Sequence, residues 1–261
     1  MRLQWILAAT VTLLGTASVR AEVKTETVEY KVDGKTYKGF IAHDDAVKDK
    51  RPGVLIVHEI WGLNDYVKDR AKQLAALGYV AFAGDLFGDG VVTVHPQEAM
   101  KMGTELRKNK EAWLARAKAS LKVLADHERV DPKRLAAIGY CFGGSTAQVL
   151  AYDGAPLSAI ASFHGSLVVP TAEQAKAVKC KMLICHGADD TFIKKETVDE
   201  FQKVLKDNKV DLQFESYPGV LHSFTVPGAE KAGIPGLKYD EKADKQSWES
   251  MKKVFEEVFK K

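Results

Sequence analysis

The residues Gly139-Tyr140-Cys141-Phe142-Gly143-Gly144 set a thiol between glycines two positions before it and two after it. The apolar run Leu135-Ala-Ala-Ile138 precedes them and Ser145-Thr-Ala-Gln-Val-Leu150 follows, so the stretch reads as strand, sharp turn and helix. This is the pattern of a nucleophile elbow. The glycines let strand and helix approach closely, and the apex side chain is pushed into an exposed, strained position above a sheet. At a helix N-terminus the thiol also meets oriented N–H groups, which favour the thiolate. The plainer reading is a glycine turn carrying a packed cysteine. Agreement between the apex, both glycines and the strand-turn-helix context favours the elbow.

A cysteine nucleophile needs a base to take its proton and a third group to orient that base. Asp190 lies in His186-Gly187-Ala188-Asp189-Asp190, just past an expected strand, and His222 lies in Pro218-Gly-Val-Leu-His222-Ser-Phe224, after the last expected strand. Alone, a loop aspartate or histidine is more often solvated or capping. Together, the chain order nucleophile, acid, histidine is that of α/β-hydrolases. Glu59, in Val57-His58-Glu59-Ile60-Trp61-Gly62, sits after an early strand, where a carboxylate is costly to desolvate without a partner. A loop or helix cap is its alternative role. The backbone N–H groups of Ile60 and Phe142 are expected to form an oxyanion hole. Such a set would attack an ester or lactone carbonyl, form a thioester acyl-enzyme, and release it with water activated by His222.

The elbow at 139–144, the turn Gly187-Ala-Asp-Asp190 and the segment Leu221-His-Ser-Phe224 together resemble the dienelactone hydrolase family, over most of the chain from about Tyr30 onward. The resemblance implies that the acid is the carboxylate three residues after the turn glycine, which selects Asp190 over a solvated Asp189. It also implies that Glu59 contacts the resting thiol and influences when it ionises. Family members acting on acidic lactones hold the substrate carboxylate with arginines. The corresponding stretches here, Asp85-Leu-Phe-Gly-Asp89-Gly90 and Ser223-Phe-Thr-Val226, contain none, so a neutral or partly aromatic ester is expected. Trp61, Phe87, Tyr140 and His164 are candidate substrate-binding walls, with core or rim packing as their alternative.

These residues require an α/β-hydrolase fold: a mostly parallel central sheet with helices on both faces and an N-terminal β-hairpin. Val23 to Val32 and Thr36 to Ala42 flank the hairpin signal Asp33-Gly34. Strands are expected at 54–57, 79–83, 159–163, 181–185 and 212–217, with helices at 65–77, 195–207 and 240–259 and mostly helix over 96–126. Trp113 reads as a core anchor on the same helical face as Ala117, Leu121 and Leu124. Repeated β-α units put ligands beyond the carboxyl ends of the strands, which is where the candidate partners of Cys141 fall.

The chain opens with Met1-Arg2-Leu3, an apolar run from Trp5 to Leu14, and Val19-Arg20-Ala21, the pattern of a signal peptide over 1–21. Residues 22–261 then form a single domain, expected to be an exported (periplasmic or secreted), soluble monomer. Losing Arg2 and Arg20 turns 38 basic and 35 acidic residues into 36 against 35, which gives no signal for nucleic acid or membrane surfaces. Cys180 and Cys185, five residues apart on one strand, are too distant to bridge. No metal-binding spacing and no nucleotide-binding glycine motif occurs, so no metal or cofactor is expected. Rival readings are a thioester or peptide hydrolase using the same site, a binding protein on this fold, and a redox-sensing Cys141.

Overall fold

The computed structural model describes residues 22–260; the leader expected over 1–21 lies outside them. Eight strands form one sheet: β1 (Val23–Val32), β2 (Lys35–Asp44), β3 (Arg51–Val57), β4 (Val80–Gly84), β5 (Val130–Tyr140), β6 (Ala159–Phe163), β7 (Lys181–Gly187) and β8 (Leu212–Tyr217). Their spatial order is β1-β2-β4-β3-β5-β6-β7-β8. The β1-β2 hairpin turns at Asp33-Gly34 and joins β4 antiparallel, and every pair from β4 to β8 is parallel.

Both faces are covered, so the parallel strands are continuous apolar runs whose side chains alternate between two cores. Leu55, Val57, Ala137, Ile160, Met182 and Ile184 face one core, whereas Val54, Ile56, Ala136, Ile138, Ala161 and Leu183 face the other. Helices α2 (Pro96–Lys108), α3 (Lys110–Asp126), α4 (Phe142–Tyr152), α5 (Ala172–Ala177) and α6 (Lys195–Asp207) supply the first. Helices α1 (Asp65–Ala76) and α7 (Glu241–Val258) supply the second. Trp113 is buried, its ring 5.5 Å from that of Phe142 and its Nε1–H donating to Thr146 Oγ1 at 2.8 Å.

The stretch expected to be mostly helix over 96–126 is two helices. Asn109 closes α2, and its Oδ1 accepts the Ala112 N–H at 3.0 Å to cap α3. The short α5 has no counterpart among the sequence expectations and is nucleated by a capping box between Thr171 and Gln174. Cys180 and Cys185 are free and buried. Among the described residues no helix is long and apolar enough to cross a membrane.

Candidate active site

Strand β5 ends at Tyr140 and α4 begins at Phe142, so Cys141 alone makes the turn, at φ 51° and ψ −111°. A β-carbon at Gly139 would lie 2.0 Å from the Gly143 carbonyl oxygen, and one at Gly143 would lie 2.0 Å from that of Val57. Both glycines are therefore required by contact: helix on strand, and helix on the neighbouring β3. The strained backbone lifts the thiol to partial exposure, while the Cys141 N–H donates to the Phe163 carbonyl at 3.0 Å and to His164 Nδ1 at 3.1 Å. Phe142 is the first residue of α4, so its N–H belongs to the group without intrahelical partners.

Asp190 and His222 meet at the ends of β7 and β8. Asp190 Oδ2 and His222 Nδ1 are 2.7 Å apart, and both residues are about 95% buried, with relative exposures of 4% and 5%. Asp190 Oδ1 accepts the Phe192 N–H at 2.9 Å, which fixes the carboxylate plane, and Asp189 is exposed. His222 is held by its own backbone, donating to Gly236 O and accepting from Lys238 N. Burial lowers the affinity of His222 for a proton, but the charge on Cys141 and the bond to Asp190 outweigh it and raise its pKa to about 10. Cys141 and His222 line the same cavity of about 250 Å³.

Glu59 also lines this cavity and is 2% exposed. Burial pushes its carboxyl up to about 7, against the nearby charge of His222 and the hydrogen bond it accepts from Ser223 Oγ at 3.1 Å. The hydrogen-bond partner of this carboxylate is thus Ser223, while the thiol that the resemblance gives it shares the cavity. Its neighbour His58 is fully buried, which depresses its pKa. The Nδ1 of His58 lies 2.6 Å from the Glu59 carbonyl and its Nε2 accepts the Leu86 N–H, so it braces the loop. Three non-glycine residues around the thiol, Cys141, His164 and Ser223, have φ of 51°, 40° and 56°. Clustered backbone strain of this kind is typical of sites that hold reactive geometry.

Of the four expected substrate walls, Trp61 lines the cavity and the other three do not. Tyr140 is fully buried with its ring 4.9 Å from that of Phe163, because strand alternation turns it into the core one residue before the elbow. Phe87 packs 4.8 Å from His58 and 5.7 Å from Phe142, behind the elbow. It is drawn inward by Asp85, whose carboxylate accepts the N–H groups of Lys38, Phe87, Gly88 and Gly90. His164 is fully buried beneath Cys141. Burial and the neighbouring His222 hold its pKa well below the usual value, and Nε2 bonds Thr225 Oγ1 at 2.7 Å.

Helix α2, expected from the sequence only as helix, also lines the site. Its Gly103 packs against Ile60, one turn later Arg107 lies 5.1 Å over the Phe142 ring, and Arg107 lines the cavity with one guanidinium nitrogen, Nη2, buried and without a hydrogen-bond partner. The available signal was Arg107 at i+4 from Gly103, on a helix leading to the Trp113 anchor. A larger groove of about 690 Å³ between the end of β8 and α7 contains none of Cys141, Asp190 and His222, and size alone does not make it the reactive site. Among the described residues no cluster of three or more His, Cys, Asp or Glu is arranged to hold a metal ion.

The model of the dienelactone hydrolase family matches residues 37–259. The chain belongs to the dienelactone hydrolase family. As a member it is a carboxylic ester hydrolase. Among its relatives, Protein usf of Aquifex pyrophilus is 30% identical, over 76% of this chain and 85% of that protein. A candidate carboxymethylenebutenolidase of Aquifex aeolicus is 29% identical, over 89% and 98%. Two solved structures each cover 91% of this chain and 99% of their own: m3DLH, at 39% identity and TM-score 0.88, and a dienelactone hydrolase-like promiscuous phosphotriesterase, P91 from metagenomic libraries, at 38% and 0.89.

Proposed function

We propose that this dienelactone hydrolase family member cleaves a carboxylic ester or lactone through Cys141, His222 and Asp190, by way of a thioester. The observation that carries the reading is the buried 2.7 Å contact of His222 Nδ1 with Asp190, which leaves Nε2 for the thiol. The Cys141 thiolate, paired with protonated His222, attacks the carbonyl carbon, while the N–H groups of Ile60 and Phe142 hold the oxyanion. Collapse expels the alkoxide, which takes the proton from His222. Water then gives a proton to His222 and attacks the thioester, and the acid and free thiolate are released. Glu59 tunes the charge around the thiol from the cavity wall.

Arg107 revises the substrate expectation. Arginine is absent from the two stretches where the family resemblance places it, but α2 supplies a guanidinium to the same cavity, so an ester carrying an anionic group fits as well as a neutral one. The family relationship to P91 supports a second reading, hydrolysis of phosphotriesters, whose phosphoryl oxygen would use the same donors. We also propose that the chain is exported after removal of residues 1–21 and acts as a monomer. The test is hydrolysis of p-nitrophenyl esters, lactones and a phosphotriester by wild type, Cys141→Ala and His222→Ala. Turnover that both variants lose is expected; equal turnover in all three would refute the reading.

A further inference from the structure

The cavity above Cys141, at about 250 Å³, is small for a substrate site. Ligand pockets usually span about 300–1,000 Å³. A second cavity of about 280 Å³ adjoins it, and Glu59, Trp61, Ser223 and Leu237 line both. Its remaining surface is mostly apolar, from Val92, Val94, Val226, Ala229 and Ala232. Among its polar side chains Lys231 makes no hydrogen bond or ion pair with the described residues, whereas Asn64 and Thr93 are engaged. Asn64 Oδ1 caps α1 by accepting the Val67 N–H, and Thr93 Oγ1 donates to Glu98.

Both walls are tied to the residues that do chemistry. On one side, Thr93 N–H donates to the Trp61 carbonyl at 3.1 Å and Val92 bridges Gly62, so the 90s loop runs against the Glu59 loop. Gly62 permits this, since its φ is 85° and a β-carbon there would lie 2.0 Å from the Val91 carbonyl oxygen. On the other side the chain from Ser223 to Ala232, ending in a 3-10 helix over Ala229–Ala232, continues directly from His222. Leu237 pairs with His222 across a bridge. The second cavity is therefore as fixed as the first. Its rim exposes two neighbouring apolar side chains, Val92 at 47% and Val94 at 79%.

Resting on the hydrolase reading above, we propose that the second cavity is the alcohol subsite: it receives an apolar aliphatic or aromatic alcohol limb of the ester. The side is assigned by the direction of proton transfer. His222 lines the first cavity and protonates the departing alkoxide there, and its chain neighbour Ser223 lines both cavities, so the second continues from the side on which the alkoxide leaves. The acyl limb lies in the first cavity, beside Met100, Thr104 and Arg107 of α2. Glu59 and Trp61 form the partition over which the scissile bond sits.

The experiment measures kcat/KM for two series of esters, alkyl acetates from methyl to hexyl and ethyl esters from acetate to hexanoate, in wild type, Ala232→Trp and Val226→Ala. Ala232→Trp fills the cavity and is expected to lower the hexyl-to-methyl acetate ratio at least tenfold, while the hexanoate-to-acetate ratio moves less than threefold. Val226→Ala widens it and is expected to shift the optimum of the alcohol series to a longer chain, which keeps the test informative if the tryptophan variant does not fold. A fall in the acyl series instead, or equal losses across both series, overturns the alcohol subsite while leaving the hydrolase reading intact. Absence of any Cys141-dependent ester turnover in wild type would overturn both.

Discussion

His164 accepts the backbone N–H of Cys141 through Nδ1 at 3.1 Å, with its Nε2 on Thr225 Oγ1. A histidine that reads as a pocket wall is thus a brace beneath the nucleophile, kept neutral by burial. Its loss should weaken the strained φ of 51° at Cys141. We expect His164→Phe to lower kcat about two- to tenfold, the equivalent of one hydrogen bond of about 0.5–1.5 kcal/mol. KM for a short ester should move little, and His164→Gln, which keeps an acceptor, should recover most of the rate. Steady-state kinetics of the two variants checks this.

Asp190 raises the proton affinity of His222, whose pKa stands at about 10. Replacing it with Asn removes the charge and leaves a group that can present the wrong hydrogen-bond partner to Nδ1. Asp190→Asn should lower kcat by roughly 10²–10⁴-fold. The alkaline limb of its kcat/KM profile should also move to lower pH, because the charge that held the proton is gone. A profile whose limb stays in place would argue against Asp190 as the orienting acid.

Glu59 carries a pKa raised from 4.5 to about 7 by burial. Between those values the folded chain keeps a proton that the unfolded chain has released, so stability falls as pH rises through the interval and stays lowered above it. Glu59→Gln removes this ionisation and preserves an acceptor for Ser223. The variant should be more stable than wild type at pH 8, by on the order of 2–3 kcal/mol, and equal to it near pH 4. Urea unfolding at the two pH values measures the difference.

Arg107 lines the cavity and has one buried guanidinium nitrogen without a hydrogen-bond partner. A charged hydrogen bond of about 1.5–3 kcal/mol would be lost with it. Arg107→Ala should therefore reduce kcat/KM for an ester bearing a carboxylate about 10- to 100-fold relative to its neutral methylated analogue. Equal effects on the two would show that the cation does not read the substrate.

The parts of the site that were legible in the sequence are those fixed by backbone requirements. The glycines at 139 and 143 announce an elbow because no β-carbon fits there. Asp190 and His222 were legible because expected strands end shortly before them. What escaped was set by packing across elements. Arg107 sits in a charged, surface-like stretch of α2, and the contacts of Gly103 with Ile60 and of Arg107 with Phe142 show that this helix roofs the site. Tyr140, Phe87 and His164 lie next to strand ends, but which way each side chain turns depends on neighbours distant in the chain: Phe163, the Asp85 loop and Thr225. Asn109 serves two helices at once, so periodicity alone ran through it.

In the proposed mechanism Cys141 Sγ is the atom that becomes acylated. Wild-type protein mixed with a p-nitrophenyl ester, quenched in acid during turnover and digested, can be read by mass spectrometry for one added acyl group. Cys180 and Cys185 are buried, which leaves Cys141 as the accessible thiol. The expected result is an acyl group on the Cys141 peptide, labile to hydroxylamine, that disappears together with turnover in Cys141→Ala. An acyl group found on a serine such as Ser223 or Ser145, or undiminished turnover in Cys141→Ala, would contradict it.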